Sequence, residues 1–422
     1  MTDDPHSAIW HPFTQHALRS GFPSVVQAEG AYLTTASGQR IIDAISSWWV
    51  ITHGHRHPKI VAAIKAQAEL LDQVIFAEYT HESAERLAQK LLTLAPEGLV
   101  HVFFSDSGST SVEVALKMAL GFWRHNGEPR HRIIVMERSY HGDTIGTMSV
   151  GARGVFTESY EPLLFDVARI PLPAAGREDL TLSALDEVCR HGTAAALIVE
   201  PLVLGAGGMH MYSPAVLAGL RAICANHDVL FIADEVMTGW GRTGTMFACE
   251  QAGISPDIAC YSKGLTGGAL PLAVTLCTHE IFMAHYSDDR RRTFFHSSSF
   301  TGNPIACAAA LANLEVWESE PVLARIAELK TLQTQQLNRF REDPRFTDVR
   351  QTGTITAMDL KAPDGGYLAN VGSRLSASFR DSNVLLRPLG NTIYVLPPYC
   401  VTREDLETVY DAIAAAADAA AS

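Results

Sequence analysis

The sequence has few charged residues for its length, and basic residues are in the minority. Its 422 residues include 33 lysines and arginines against 46 aspartates and glutamates, which gives a formal net charge of −13. Nucleic acids and anionic membranes bind through basic surfaces, so this balance argues against either as a partner. Hydrophobic residues make up 47% of the chain, a composition typical of a folded globular protein.

Long apolar runs, the features of a signal peptide and the pattern of a cysteine framework are also missing from the sequence. The most apolar run, residues 194–204, is broken by Glu200 and Pro201, so no membrane-spanning helix is predicted. The first residues are acidic and polar, unlike a signal peptide. The seven cysteines lie far apart without a C-x-x-C pair. We therefore expect reduced thiols in a cytoplasmic protein and neither disulfides nor a zinc site.

The stretch at residues 105–111 is neither a Walker phosphate loop nor a G-x-G-x-x-G dinucleotide turn, but it can still bind phosphate. A predicted strand at residues 100–104 leads through small polar residues at 105–111 into a predicted helix at 112–123. The free N–H groups and dipole of such a helix attract anions, and Gly108 allows close approach of the backbone. An ordinary helix cap would have the same composition, so both interpretations remain open.

Predicted strands and helices alternate between about residues 50 and 315. This order predicts an α/β fold with a large, doubly wound, mostly parallel sheet. After about residue 320 the pattern favours a smaller α+β domain. We expect residues 1–48 to contribute to that small domain, residues 49–318 to form the large domain and residues 319–422 to complete the small one. The predicted strands of the large domain are residues 100–104, 132–136, 195–200, 229–236, 257–263 and 272–277.

Four chemically useful residues fall at predicted strand ends, where sheets of this type bind ligands. They are Ser109, Tyr140, Asp234 and Lys263. A lysine at a buried strand end is partly desolvated, which lowers its pKa and makes it nucleophilic. A lysine with a nearby carboxylate is the pair that pyridoxal phosphate needs, although a single lysine is more often a surface residue. Tyr140 can cover a flat cofactor or simply be a half-buried tyrosine.

Four further segments have more than one interpretation. The adjacent tryptophans at residues 48–49 suit core packing or a pocket for flat groups. The histidines at residues 53–57 lack the spacing of metal ligands, so a loop before a helix is predicted. The glycine-rich residues 239–244 are expected to form a mobile loop. The serines at residues 297–299 precede a predicted helix and form a second candidate phosphate contact.

Taken together, these residues match a known family. The chain resembles the class III, fold-type I pyridoxal-phosphate-dependent aminotransferases over essentially its whole length. Its amino-terminal, double-tryptophan and carboxy-terminal motifs resemble the branch of that family that acts in biotin biosynthesis. The motifs are Ile9–Thr14, Ser46–Trp49, Asp106–Ser109, Glu113–Leu120, Tyr140–Thr144, Gly205–Met209, Gly239–Gly244, Lys263–Gly268, Arg387–Gly390 and Tyr394–Tyr399.

The resemblance implies roles for the residues at the strand ends. Lys263 would hold pyridoxal 5′-phosphate as a Schiff base and move a proton between the substrate and the cofactor. Asp234 would pair with the pyridine nitrogen. Gly108 and Ser109 would bind the phosphate, and Tyr140 would pack beside cofactor and substrate as a catalytic residue.

It also implies a substrate pocket. Phe13, Trp48 and Ser297 would line it, although relatives often have tyrosine at the position of Phe13. Arg387 would pair with the carboxylate of the acceptor, because a guanidinium can bind a carboxylate with two parallel hydrogen bonds. Arg242 would help to set the donor site.

The implied reaction is a ping-pong transamination of 8-amino-7-oxononanoate to 7,8-diaminononanoate, with S-adenosylmethionine as the amino donor. Lysine as the donor, or a different class III ω-amine aminotransferase, remains an alternative. Ser298 and Ser299 would reach the phosphate of the neighbouring subunit's cofactor, which implies a homodimer. Relatives often have Gly-Pro-Thr where residues 297–299 are serines here.

Overall fold

The computed structural model describes residues 8–18, 21–128, 130–362 and 367–421. Its strands form one large sheet and three small ones. The strands are β1 (Val25–Glu29), β2 (Tyr32–Thr35), β3 (Arg40–Asp43), β4 (Leu99–Ser105), β5 (Arg132–Met136), β6 (Ala168–Ile170), β7 (Ala194–Val199), β8 (Val203–Leu204), β9 (His210–Met211), β10 (Leu230–Asp234), β11 (Ile258–Tyr261), β12 (Ala273–Thr278), β13 (Phe346–Thr352), β14 (Ile355–Leu360), β15 (Val384–Leu385) and β16 (Thr392–Val395).

The helices surround these sheets. Short 3₁₀ turns cover His16–Leu18, Glu158–Leu163, Ala248–Ala252, Lys263–Thr266 and Arg290–Arg292. The α-helices are α1 (Ser46–Trp49), α2 (Pro58–Ala68), α3 (Glu82–Leu94), α4 (Gly108–His125), α5 (Ile145–Ser149), α6 (Glu178–Arg190), α7 (Pro214–Asn226), α8 (His279–His285), α9 (Pro304–Ser319), α10 (Val322–Leu337), α11 (Asn370–Asp381) and α12 (Arg403–Ala421).

The large sheet has seven strands in the order β4-β12-β11-β10-β7-β5-β6. Only β12 runs antiparallel to its neighbours; the other pairs are parallel. Every residue of β7 is buried, as expected for a central strand with helices on both faces. The predicted α/β fold with a mostly parallel sheet is confirmed.

The carboxy-terminal part of the chain forms a second, smaller layer. Strands β13, β14 and β16 make an antiparallel sheet, and α12 packs against α10 and α11. Strand β15 pairs in parallel with β3, which joins the amino-terminal strands to this region. The domain boundaries after residues 48 and 318 stay a prediction.

The prediction of a mobile loop at residues 239–244 is wrong. Trp240 and Arg242 are each only 1% exposed, and Trp240 packs against Phe247 and Tyr261. Glycine is needed here for close packing, because a side chain at Gly241, with its φ of +87°, would collide with neighbouring side chains. Chain flexibility is therefore not the reason for these glycines.

The three clustered histidines have different environments in the fold. His53 is buried, His55 lies 2.9 Å from Asp43, and His57 lies 3.1 Å from Glu320. The seven cysteines are free thiols, and all but one are buried. Within the described residues, no helix combines the length and apolar character needed to cross a bilayer.

Candidate active site

The catalytic candidates lie at the carboxyl ends of adjacent strands of the large sheet. Asp234 is the last residue of β10, and Lys263 follows β11, its neighbour in the sheet. Lys263 has a φ of +46°. Residues other than glycine rarely adopt this backbone conformation, and those that do cluster at functional sites. The amide of Asn313 supports the turn by donating to the carbonyls of Gly264 and Leu265, each at 3.0 Å.

The environment of Lys263 favours a neutral amine. Burial among protein atoms lowers the pKa of Lys263 to about 8, while Asp234 and Glu200 oppose this shift. Part of its surface nevertheless stays accessible to solvent, because the residue lines a cavity. Its Nζ lies 4.8 Å from the centroid of the Trp49 ring. More of this amine is therefore free base near neutral pH than for an ordinary lysine.

Asp234 is held in one orientation. Its Oδ2 lies 2.7 Å from Nδ1 of His141, and its Oδ1 accepts a hydrogen bond from the Val236 amide at 3.1 Å. The next acid, Glu235, faces the opposite way and accepts from the amides of Ala248 and Cys249, as strand alternation requires. Of these two consecutive acids, only Asp234 is therefore directed to the site.

Sequence reasoning missed Glu200 as a member of the site. Its carboxylate accepts the amide hydrogens of Tyr140 at 2.9 Å and Gly205 at 2.8 Å. Burial raises the pKa of Glu200 to about 7 and also raises the pKa of Tyr140, so its phenol stays protonated. An acid directly after the apolar strand β7 was the available signal.

The first turn of α4 contains the candidate phosphate site. Ser107 caps the helix and accepts from the amide of Thr110 at 3.2 Å. Gly108 and Ser109 follow, and amides in a first turn have no acceptor within the helix. A side chain at Gly142 would overlap the hydroxyl of Ser109, so the two backbones approach closely. This geometry favours the predicted phosphate contact.

Five of the predicted site residues line one cavity of about 940 Å³. Lys263, Tyr140, Phe13, Trp48 and Arg387 all contribute to its wall. The rings of Phe13 and Trp48 meet edge to face, with centroids 5.6 Å apart. The Arg387 guanidinium carbon lies 5.1 Å from the centroid of the Trp48 ring. Ser109 lies behind this wall, where its hydroxyl accepts a hydrogen bond from the amide of Asp143, a lining residue, at 3.3 Å. Asp234 and Gly108 are not part of the lining.

Arg242 lies elsewhere. Its guanidinium donates to the carbonyl oxygens of Ile51 at 2.8 Å, Pro397 at 2.9 Å and Trp49 at 3.3 Å. It is almost fully buried and is not part of the cavity lining. These contacts join Arg242 to the backbone around Trp49, and its role in setting the donor site stays a prediction.

The three serines also lie outside this cavity. The hydroxyl of Ser297 donates to the carbonyl of Ser298 at 3.0 Å, and Ser298 donates to Asp106. The carbonyl of Ser299 accepts from the side chain of Gln73 at 3.0 Å. The contact of Ser298 and Ser299 with a second subunit's cofactor stays a prediction, as does the place of Ser297 in the substrate pocket.

These residues fit pyridoxal phosphate. Lys263 supplies an amine of lowered pKa, and Asp234 supplies an oriented carboxylate beside it. The first turn of α4 supplies free amides for a phosphate, and Tyr140 supplies an aromatic wall. Together they meet the needs of a cofactor with an aldehyde, a basic ring nitrogen and a phosphate.

Comparison with known proteins assigns the family. The family model for class-III aminotransferases matches residues 16–417. The adenosylmethionine-8-amino-7-oxononanoate aminotransferase of Synechococcus elongatus is 47% identical over 98% of this chain and 99% of its own length. The protein of the same name from Geobacter sulfurreducens is 41% identical over 96% of this chain and 94% of its own length.

Solved structures agree. The adenosylmethionine-8-amino-7-oxononanoate aminotransferase of Methanocaldococcus jannaschii superimposes with a TM-score of 0.93 at 33% identity, covering 97% of both chains. A pyridoxal-phosphate-bound amine transaminase from an uncultivated Pseudomonas species gives a TM-score of 0.92 at 32% identity, covering 97% of this chain and 98% of that one. The chain belongs to the class-III aminotransferases, a family of pyridoxal-phosphate-dependent enzymes.

Proposed function

We propose that this enzyme transfers an amino group to 8-amino-7-oxononanoate, giving 7,8-diaminononanoate for biotin biosynthesis, with S-adenosylmethionine as the donor. The similarity to enzymes named for this pair of substrates supports the proposal. An experiment must exclude two alternatives. One is lysine as the donor to the same acceptor, and the other is a class III aminotransferase that acts on a simple ω-amine.

The observation that carries the proposal is the environment of Arg387. It lines the same cavity as Lys263, and its guanidinium donates to the carbonyl of Phe13 at 3.2 Å. It forms no ion pair with a carboxylate among the described residues, so its charge is available to a ligand. A long substrate with a reacting group at one end and a carboxylate at the other fits this arrangement.

The residues of the chain divide the work. Bound pyridoxal phosphate supplies an aldehyde that condenses with amines and a protonated ring that withdraws electrons. Asp234, oriented by His141, would keep the proton on the ring nitrogen. Nζ of Lys263 would move a proton from the substrate carbon to the aldehyde-derived carbon of the cofactor in one half-reaction and in the opposite direction in the other. Gly108 and Ser109 would hold the phosphate through their amides.

The donor would use the same cavity in turn. The Phe13 ring makes edge-to-face contacts with Trp48 and Phe156, at centroid distances of 5.6 and 5.9 Å. Aromatic walls of this kind suit a flat adenine. Phe13 contributes this surface without a hydroxyl group, so we propose that stacking and apolar contact hold the adenine on this side.

Half-reactions test the proposal. Cofactor-loaded protein is mixed separately with S-adenosylmethionine, lysine, 4-aminobutyrate and alanine, and the visible absorbance of the cofactor is followed. We expect conversion by S-adenosylmethionine and reversal by 8-amino-7-oxononanoate. Conversion by lysine instead would retain the acceptor and change the donor. Conversion only by a simple amine would reject the proposal.

We further propose a cytoplasmic homodimer. The surface formed by residues 72–79 and 295–303 carries exposed apolar side chains, including Ile75, Tyr79, Phe295 and Phe300, and it is joined by the hydrogen bond between Gln73 and Ser299. Such a surface is typical of an interface. The odd number of widely spaced cysteines favours a reducing compartment. Sedimentation of the purified protein as a monomer would contradict the dimer.

A further inference from the structure

The backbone of α1 is strained beside the cavity. Ser46, Ser47 and Trp49 have φ values of +53°, +61° and +67°, and Ser47 combines its φ with a ψ of −75°. Residues with side chains rarely adopt these angles and keep them only where the surroundings impose them. The turn carries Trp48 and Trp49, and both line the cavity.

A single buried carboxylate holds this turn. Asp43, at the end of β3, has no exposed surface. Its Oδ1 accepts the amide hydrogens of Ser47 at 2.7 Å and Ile45 at 3.3 Å. Its Oδ2 accepts the hydroxyl of Ser47 at 2.9 Å and lies 2.9 Å from Nε2 of His55. Two of these four contacts are made with Ser47, the residue with the most unusual backbone.

The position of this turn determines two walls of the cavity. The indole N–H of Trp49 donates to the hydroxyl of Tyr394 at 3.1 Å, and its ring faces the amine of Lys263. The Trp48 ring contacts both the Arg387 guanidinium and the Phe13 ring. A relaxed turn would displace both rings, one beside the amine of Lys263 and one beside the guanidinium of Arg387.

We propose that Asp43 is a positioning residue that holds the Ser46–Trp49 turn in its strained form, so that substrates meet a preformed pocket. Asp43 does not itself line the cavity and acts through the two tryptophans. The proposal depends on the proposed function only for its kinetic readout, because the geometry of the turn is independent of substrate identity.

The primary variant is Asp43→Asn, which has the same size but cannot accept four hydrogen bonds. We expect KM for both substrates to rise about tenfold, equivalent to ~1.4 kcal/mol, while kcat changes much less. The near-ultraviolet circular dichroism of the tryptophans should also change. The matched control is Asp257→Asn, another largely buried carboxylate that accepts a backbone amide, at the opposite end of the strands. It should leave KM and the tryptophan signal unchanged.

A second variant separates positioning from general stability. Glycine adopts the φ of Ser47 without steric cost. A glycine at position 47 would therefore keep the turn's conformation with fewer hydrogen bonds to the side chain at position 43. Ser47→Gly added to Asp43→Asn should therefore lower KM again, toward the wild-type value. A residue that only stabilised the fold would not be rescued by a more flexible neighbour.

The outcomes are distinct. An Asp43→Asn protein with wild-type KM and wild-type circular dichroism would overturn the inference, as would a double variant with no recovery of KM. Absence of turnover by the wild-type enzyme with the proposed substrates would reject the proposed function instead. The circular dichroism comparison would then decide the inference alone, an unchanged tryptophan signal overturning it and a changed one supporting it.

Discussion

Nδ1 of His141 lies 2.7 Å from Oδ2 of Asp234, and both side chains are almost completely buried. A carboxylate only accepts hydrogen bonds, so His141 donates here and fixes the carboxylate plane. The residue before His141 is Tyr140, whose amide is bound by Glu200. One short segment after β5 thus orients both the carboxylate and the aromatic wall of the site.

The lowered pKa of Lys263 predicts the pH dependence of cofactor capture. Only the neutral amine attacks an aldehyde, so the capture rate should rise about tenfold per pH unit below the pKa and level off above it. The levelling should occur near pH 8, the value set by burial, and not near that of a free lysine. Stopped-flow absorbance of cofactor-free protein mixed with pyridoxal phosphate measures this rate.

A lysine-containing peptide serves as the control, because it shows the cofactor's own ionisation. Lys263→Ala should capture no cofactor through an amine and should lose turnover while remaining folded. Lys65→Ala, which changes an exposed lysine on α2, should behave as wild type. A capture rate that still rises at pH 10 would contradict the prediction.

Arg387→Gln should weaken binding of the acceptor. Loss of a charge-assisted hydrogen bond to a carboxylate costs about 1.5–3 kcal/mol, or roughly 10- to 150-fold in KM. An acceptor with a carboxamide in place of its carboxylate isolates this contact. Wild type should discriminate against that analogue, and the variant should not. Equal discrimination by both proteins would place the carboxylate elsewhere; Arg403→Gln on α12 is the surface control.

Gly142→Ala should release the cofactor. The added methyl group would overlap the hydroxyl of Ser109, at a position whose φ is +133°, and would displace the first turn of α4. Gly176→Ala is the matched control, since its φ is +74° but nothing lies within 4 Å of the added carbon. Both should lose stability, by about 1 kcal/mol for the strained backbone alone. Only Gly142→Ala should raise the dissociation constant for pyridoxal phosphate.

His53 should make the protein sensitive to acid. Burial and the nearby His57 lower the pKa of His53 from 6.5 to about 3. Between these values the unfolded chain binds a proton that the folded chain does not, so stability falls as the pH falls. The loss is about 2 kcal/mol between pH 7 and pH 5.

Urea unfolding at the two pH values measures this loss. His53→Gln should reduce the difference in unfolding free energy between them, whatever its effect on stability at pH 7. His191→Gln, at an exposed position, should keep the wild-type difference. An unchanged difference in His53→Gln would assign the acid sensitivity to other groups.

The amino-acid pattern was sufficient to predict the large sheet and the edge of it at which the candidate site lies. The spacing of apolar residues along the chain is a local property of the sequence. It identified the strands that end near Asp234 and Lys263. The rule that ligands bind beyond the carboxyl ends of such strands then brought Tyr140 and the turn at Gly108 to the same edge. All four lie there in the structure.

Which polar residues lie at the candidate site and which contact the backbone elsewhere could be read only from the folded chain. Arg242 binds carbonyls 155 to 193 residues away in the chain, and Asp43 acts through a strained turn whose shape depends on its burial. Glu200 appears in the sequence only as an acid after a strand. Such contacts depend on long-range packing, and a buried polar group takes whichever partners the folded chain places beside it.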